Sequence, residues 1–418
     1  MNTYTTSHDS LQSNSVGKRI KALLLLRRNK SVLNVASELQ TSEQANLRSP
    51  GRRLWRRFKS NRLGYWSLII FSSLYLVSLA GELISNDKPL FIYHQGAFYF
   101  PLVKDYPETT FGGELPINAN YNDPFVRDLL AQKGSFALYP VNPYYYNTLN
   151  YFSGTKHYPG PPSADNIFGT DIAGYDIAAR LLYGFRTSVS FGLGLTLVGT
   201  CLGILIGSVQ GYFAGKIDLV TQRVIEVWGS MPELYLLIIF ASIFEPSLLL
   251  LFILLSLFGW ILLSEYVRAE FLRNRQLEYV KAARAMGLSH AQIIWRHILP
   301  NSLTPVITFL PFRMSAAIMA LASLDFLGLG VQAPAPSLGQ LLLQGKENLD
   351  AWWIAVASFS VLVLTLLLLT FMGEALRNAI DTRIADVPGA DDNRDNLNNS
   401  ALTAESKSVK NLPADAAV

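Results

Sequence analysis

The chain has 418 residues, a formal net charge of +4 and one cysteine, with 50% of its residues hydrophobic and 16% charged. An average soluble domain carries about 25% charged residues, so the composition points to a lipid-facing protein. It excludes a nucleic-acid binder, which needs a basic stripe interleaved with aromatics, and a disulfide scaffold, which Cys201 alone cannot build. Cys201 lies in an apolar run and reads as a small residue packed between helices.

Residues 1–63 are read as a basic, cytoplasmic N-terminal extension. The leucine run 23–26 is too short for the apolar core of a secretory signal, and no small-residue cleavage site follows. Basic residues from Lys18 to Lys30 flank it. They are compatible with an amphipathic helix on anionic lipid or with a solvated tail.

A helix needs roughly 20 apolar residues to cross a bilayer core about 30 Å thick. Six segments qualify: 64–84, 187–211, 223–244, 247–266, 302–323 and 352–373. Arg52, Arg53, Arg56, Arg57, Lys59 and Arg62 precede the first and place the N-terminus in the cytoplasm. Alternation then puts the 267–301 loop, with six basic residues from Arg268 to Arg296, and the C-terminus on the same side. Residues 85–165 become an extracytoplasmic insert rich in Tyr, Phe, Pro and Asn. Its composition predicts a small, largely irregular domain with short strands. Its run Tyr144-Tyr145-Tyr146 suits either a packed cluster or a contact with substrate or a delivery protein.

In the second apolar segment Gly199, Gly203, Gly207, Gly211 and Gly215 recur every four residues. That ridge lets another backbone approach closely, inside the bundle or at a subunit interface. Ionisable residues of the apolar segments (Glu226, Glu233, Glu265 and Arg313) would be the candidates if the chain were a secondary transporter. They lie near helix ends, where structural hydrogen bonding accounts for them about as well.

Between the fourth and fifth segments the residues 276–301 predict a helix, a break and a second helix. Glu278, Ala282, Ala283 and Ala285 lie in a strong helix former, and Gly287 supplies a stop of positive φ. Ser289 can cap a second helix whose apolar face would be Ala291, Ile294 and Trp295. Leu299 and Pro300 mark entry to the next membrane helix. A short helix pair with a small-residue face suits a groove on a partner.

The order of these residues resembles the EAA loop of bacterial ABC-importer permeases. Ala282, Ala283, Gly287, Leu299 and Pro300 fall on its pattern, whereas Lys281 occupies the Glu slot and His297 the Ile slot. Glu278, one turn earlier, is placed to supply the acidic contact. Three further stretches resemble the dipeptide/oligopeptide (DppC/OppC) permeases: Ile167 to Asp176 leading to Gly184-Phe-Arg186-Thr-Ser188, Leu324 to Ser337, and Gly373 to Arg383. The family usually has Arg where Tyr175 stands. The large insert and basic extension resemble the branch of permeases that serves peptides and the peptide-nucleotide antibiotic microcin C.

The resemblance implies an all-α integral membrane protein of the bacterial inner membrane, with the six transmembrane helices of the type I ABC-importer permease fold. It implies that the 85–165 insert is periplasmic, with a permease domain over 166–383 and coupling residues Glu278, Ala282, Ala283, Gly287, Leu299 and Pro300. Partners would be a second permease subunit, a cytoplasmic ABC ATPase and a periplasmic substrate-binding protein, with a peptide as substrate. ATP would be bound by the ATPase, since Gly211 to Lys216 has the wrong spacing for a phosphate loop. No cofactor is expected: there is no metal-spaced His/Cys/Asp/Glu set, Gly-x-Ser-x-Gly elbow or redox cysteine pair. A membrane enzyme and a membrane scaffold are the remaining alternatives. Residues 384–418 are read as a disordered cytoplasmic tail.

Overall fold

The structure is a computed structural model, described here for residues 50–131, 134–149 and 157–380. The leucine run 23–26, the tail 384–418 and the last residues of the Gly373–Arg383 stretch lie outside the described residues. Residues 50–60 belong to a unit separate from 61 onward. Their helix α1 (Pro50–Ser60) begins with Pro in the first turn, where its missing N–H costs nothing.

The first long helix, α2 (Arg62–Leu79), is capped by Asn61, whose side chain accepts from the Gly64 amide. A short α3 (Gly81–Ile84) leads into the insert. There β1 (Phe91–His94), β2 (Ala97–Tyr99) and β3 (Ser135–Leu138) form an antiparallel sheet of order β2-β1-β3. Gln95 and Gly96 both have positive φ, as a two-residue hairpin turn of matching twist requires. Helix α4 (Pro124–Leu130) closes the small core, in which Ile92, Phe111, Tyr121, Val126 and Leu130 are buried. The insert thus has three short strands in an otherwise largely irregular segment, as its composition suggests, with Tyr93, Phe98 and Phe136 exposed.

The chain then enters α5 (Ile177–Phe213), followed by α6 (Gly215–Gly229) and α7 (Glu233–Ile243). Two collinear pieces, α8 (Leu248–Phe258) and α9 (Ile261–Asn274), make one span. After α10 (Glu278–Ala285) and the one-turn α11 (His290–Gln292), a π-helical stretch at Ile293–Ile298 runs into α12 (Leu299–Phe326). Helices α13 (Leu338–Glu347) and α14 (Trp352–Ile380) complete the described bundle.

Among the described residues five helices are long and apolar enough to cross a membrane, or six if the α6–α7 pair is one span. That pair bends by 63° around Pro232, so the straight helix expected at 223–244 is not formed. The expected end of the fourth segment at 266 also moves. Helix α9 continues to Asn274 because Val267 and Phe271 bury themselves against α5 instead of entering a loop. The five-glycine ridge is shorter than its spacing suggests. Ala214 has φ 52° and ψ −158°, which breaks the helix before Gly215.

Candidate functional site

The helix pair at 278–301 is built by strong local rules. Glycine 287 has φ 79°, a left-handed conformation that a β-carbon disfavours. Its amide donates to Arg284 O at 3.0 Å, and the Leu288 amide donates to Ala283 O at 3.2 Å. These two bonds make a Schellman stop, with Leu288 and Ala283 sharing one apolar cluster. Ser289 then opens the second helix with a complete capping box to Gln292.

The apolar face of that second helix is not the expected one. Ile293 and Ile298 are fully buried, while Ala291 is exposed and Trp295 is 63% exposed. The π-helical stretch explains the difference. A wider turn aligns residues five apart, so Ile293 and Ile298 share a face that an α-helix would separate. Likewise Ala283 is buried with Val280, while Ala282 and Ala285 stay exposed beside Glu278. The outward surface thus carries Glu278, Ala282, Met286, Gly287 and Trp295, with Met286 71% exposed. Lys281, in the Glu slot, lies 2.8 Å from Glu278 and is exposed. Pro300 sits in the first turn of α12, where no amide is required, and Leu299 is buried beneath it.

This unit is bolted to the membrane helices. Its inner face packs on Tyr212 from α5, on Leu263, Val267 and Phe271 from α9, and on Val306 from α12. The Tyr212 hydroxyl lies 2.7 Å from His290 Nδ1, and Arg284 stacks over the Tyr212 ring at 5.1 Å. Arg275 donates to Tyr212 O at 3.0 Å, and Asn274 donates to the buried Ser302 hydroxyl at 3.0 Å. Nearby, Arg268 grips Asp218 with two hydrogen bonds, of 2.5 and 2.8 Å, tying α6 to α9.

The glycine ridge lies behind this unit, on the face of α5 that meets α8 and α9. A β-carbon on Gly211 would stand 2.5 Å from Phe271 Cβ, and one on Gly203 would stand 2.9 Å from Leu263 Cβ. Gly207 is still tighter, against the Ser264 carbonyl oxygen and Val267. Gly199 faces the Gly259 carbonyl oxygen and Arg313 NH2. Cys201, expected between helices, is exposed instead, since it lies off the ridge.

Two buried polar knots underlie stretches that sequence reasoning quoted only as family likeness. Asp171 Oδ1 accepts from the Ala173 and Tyr175 amides, while Oδ2 lies 3.1 Å from Arg180 NH1. Both side chains are about fully buried, 0% and 1% exposed, and Arg180 also stacks over Tyr175. Asp176 caps α5 through the Ala179 amide and accepts from Asn142 and Asn166, which ties the insert to the bundle. Burial pushes its carboxyl above the ordinary range. At the other motif Asp325 accepts from the Ser337 hydroxyl and the Val331 amide, with Gly330 and Gly339 packed on it. A charge pair nine residues apart, and an Asp–Ser pair twelve apart, show no helical or strand period.

Of the ionisable residues in the apolar segments, Glu226 pairs with Arg223 at 2.5 Å. Arg313 donates to the Gly259 carbonyl at 2.5 Å, at the junction of α8 and α9. Tyr145 and Tyr146 meet Tyr183 edge-on, with ring centroids 4.9 and 5.3 Å away, in a packed aromatic cluster. Among the described residues no group of three metal-ligating side chains converges.

The described residues thus form long apolar helices together with an exposed helix–Gly–helix unit. Residues 199–386 match the family model described as a binding-protein-dependent transport system inner membrane component. Residues 49–100 match that of the N-terminal transmembrane domain of oligopeptide transport permease C. The chain is 48% identical to the inner membrane ABC transporter permease protein YejE of Escherichia coli, covering 78% of this chain and 95% of that one. It is 42% identical to the peptidoglycan transport system permease protein YejE of Agrobacterium fabrum, covering 79% and 93%. It is 34% identical to the dipeptide transport system permease protein DppC of Bacillus subtilis, covering 54% and 71%. A solved structure of the MetNI methionine ABC transporter, titled as inward facing, aligns with a TM-score of 0.41 at 18% identity, covering 48% and 96%.

The chain belongs to the ABC-transporter permease family of which the YejE proteins are members. It is a multi-pass inner-membrane subunit with an all-α permease fold, and it is not itself an enzyme. Membership of the family implies work with an ATPase and a substrate-binding protein.

Proposed function

We propose that this subunit pairs with a second, different permease to form the pathway of a peptide importer. The relatives named for dipeptide and oligopeptide transport support a peptide substrate, and the large insert supports the branch that also takes microcin C. In this reading residues 1–63 and the C-terminus face the cytoplasm, 64–84 is the first span, 85–165 faces the periplasm, and 166–383 is the permease domain. The basic residues before α2 and in 267–301 support that orientation.

One observation carries the mechanism: the 278–301 unit exposes Glu278, Ala282, Met286, Gly287 and Trp295, and buries Val280, Ala283, Ile293, Ile298 and Leu299 in an apolar cluster shared with α5, α9 and α12. A force applied to the exposed side reaches α5, α9 and α12 through packed side chains. An ATPase whose nucleotide states bind this unit differently would bias the bundle between two arrangements. Glu278, Ala282, Ala283, Gly287, Leu299 and Pro300 are the coupling residues of this proposal, and Gly199, Gly203, Gly207 and Gly211 are its packing ridge.

Reconstitution with the second permease, the ATPase and the binding protein tests the function. Peptide uptake that needs ATP and persists without a proton gradient supports it. Uptake driven by the gradient alone would assign the chain to the secondary transporters.

A further inference from the structure

At the end of the bundle opposite the 278–301 unit, α2 ends at Leu79, α8 begins at Leu248, and the first turns of α5 pass between them. These elements border a wide-mouthed cavity of about 740 Å³. Arg186, Thr187 and Ser190 line one wall, and Leu79, Leu249 and Phe252 line the others. Leu79 and Leu249 are 47% and 68% exposed, so the cavity opens sideways onto an apolar surface at the boundary of two spans. Its one charged lining residue, Arg186, is held in an ion pair. Arg186 NH1 lies 2.8 Å from Glu82 Oε1, and the guanidinium stacks over Tyr183 at 4.7 Å. The stack orients the cation, and one of its five N–H donors serves Glu82.

We propose that this cavity binds a zwitterionic aminophospholipid from the leaflet on that side. The headgroup phosphate sits on Arg186, the ammonium on Glu82, and one acyl chain runs along Leu249 and Phe252. Three features choose this occupant. The ion pair carries both signs side by side, as a phosphoethanolamine group does with two carbons between its charges. A purely anionic headgroup would meet Glu82 as well, and a choline cannot donate hydrogen bonds to it. The remaining walls, Leu79, Leu249 and Phe252, are apolar and stand at the ends of two spans, where a lipid's headgroup gives way to its acyl chains. A peptide is a poorer match, since its terminal charges stand apart by about 3.3 Å or more for each residue.

The test is native mass spectrometry of the complete transporter complex, released from nanodiscs of equal parts phosphatidylethanolamine, phosphatidylcholine and phosphatidylglycerol. Wild type should retain the ethanolamine lipid about tenfold over the other two, the effect of one charge-assisted hydrogen bond. Glu82→Gln should invert the order in favour of phosphatidylglycerol, and Arg186→Gln should abolish retention of all three. Leu249→Trp changes an exposed position, leaves both charges in place and should displace lipid whatever its headgroup. Equal retention of the three lipids by wild type would overturn the proposal, as would an unchanged lipid complement in the Leu249→Trp complex. Photo-cross-linking from position 249 to peptide or to the second permease, in place of lipid, would also overturn it.

Discussion

The hydroxyl of Tyr212 and Nδ1 of His290 lie 2.7 Å apart, which joins the end of α5 to the first turn of the second helix in the 278–301 unit. Arg284, from the first helix of the unit, covers the same tyrosine ring. One residue of a membrane helix therefore touches both halves of the unit. Tyr212→Phe keeps the ring and removes the hydrogen bond, worth about 1 kcal/mol. Substrate-stimulated ATP hydrolysis by the reconstituted complex should fall about fivefold, while the ATPase still co-purifies. Unchanged stimulation would mean that His290 needs no such tether.

The ridge predicts a sharp position dependence for glycine replacement. Gly207→Ala places a methyl against the Ser264 carbonyl and Val267, backbone and branched atoms that cannot swing away. The cost should be about 1–3 kcal/mol, the range for overpacking. Gly229→Ala meets nothing nearer than Ile261 Cδ1 at 3.9 Å and should be neutral. Thermal melting of the two variants in the same detergent distinguishes them.

The Arg180–Asp171 pair predicts a rescue. Arg180→Met leaves a buried carboxylate opposite an apolar group and should destabilise by about 3–5 kcal/mol. Adding Asp171→Asn removes the uncompensated charge while keeping acceptors for the Ala173 and Tyr175 amides, and should recover more than half of the loss. If the double variant is as unstable as the single one, packing of the guanidinium on Tyr175 matters more than charge.

The Lys281–Glu278 pair is exposed on both sides and should contribute nothing measurable to stability. Lys281→Ala should therefore melt like wild type. Glu278→Ala should also melt like wild type, yet lower substrate-stimulated ATP hydrolysis at least fivefold, because its carboxylate is read as the contact with the ATPase. Equal activity of Glu278→Ala and wild type would remove Glu278 from the coupling residues.

Much of this arrangement was legible before any coordinates. Long apolar blocks mark spans, Gly287 followed by Ser289 marks a stop and a start, and a four-residue glycine period marks a close helix contact. Each of these signals is local or strictly periodic. The misses have other sources. Pro232 is itself a local helix breaker, outweighed by the apolar run around it, and the positive φ of Ala214 is one that an alanine does not announce. The burial of Ile293 and Ile298 depends on a π turn, which has no composition of its own. The Asp171–Arg180 and Asp325–Ser337 contacts join loops to helices at separations without a period, so their residues read as family likeness without a physical role.

The central claim is that the 278–301 unit transmits force from an ATPase and that Gly287 keeps its two helices at a fixed angle. A β-carbon on Gly287 would meet nothing within 4 Å, so within this chain a substitution acts through its left-handed backbone. The most direct measurement is substrate-stimulated ATP hydrolysis by the reconstituted complex carrying Gly287→Val, with membrane insertion and ATPase binding measured on the same sample. The account predicts an inserted, assembled complex whose stimulation is lost. Full stimulation by substrate in that variant would contradict it.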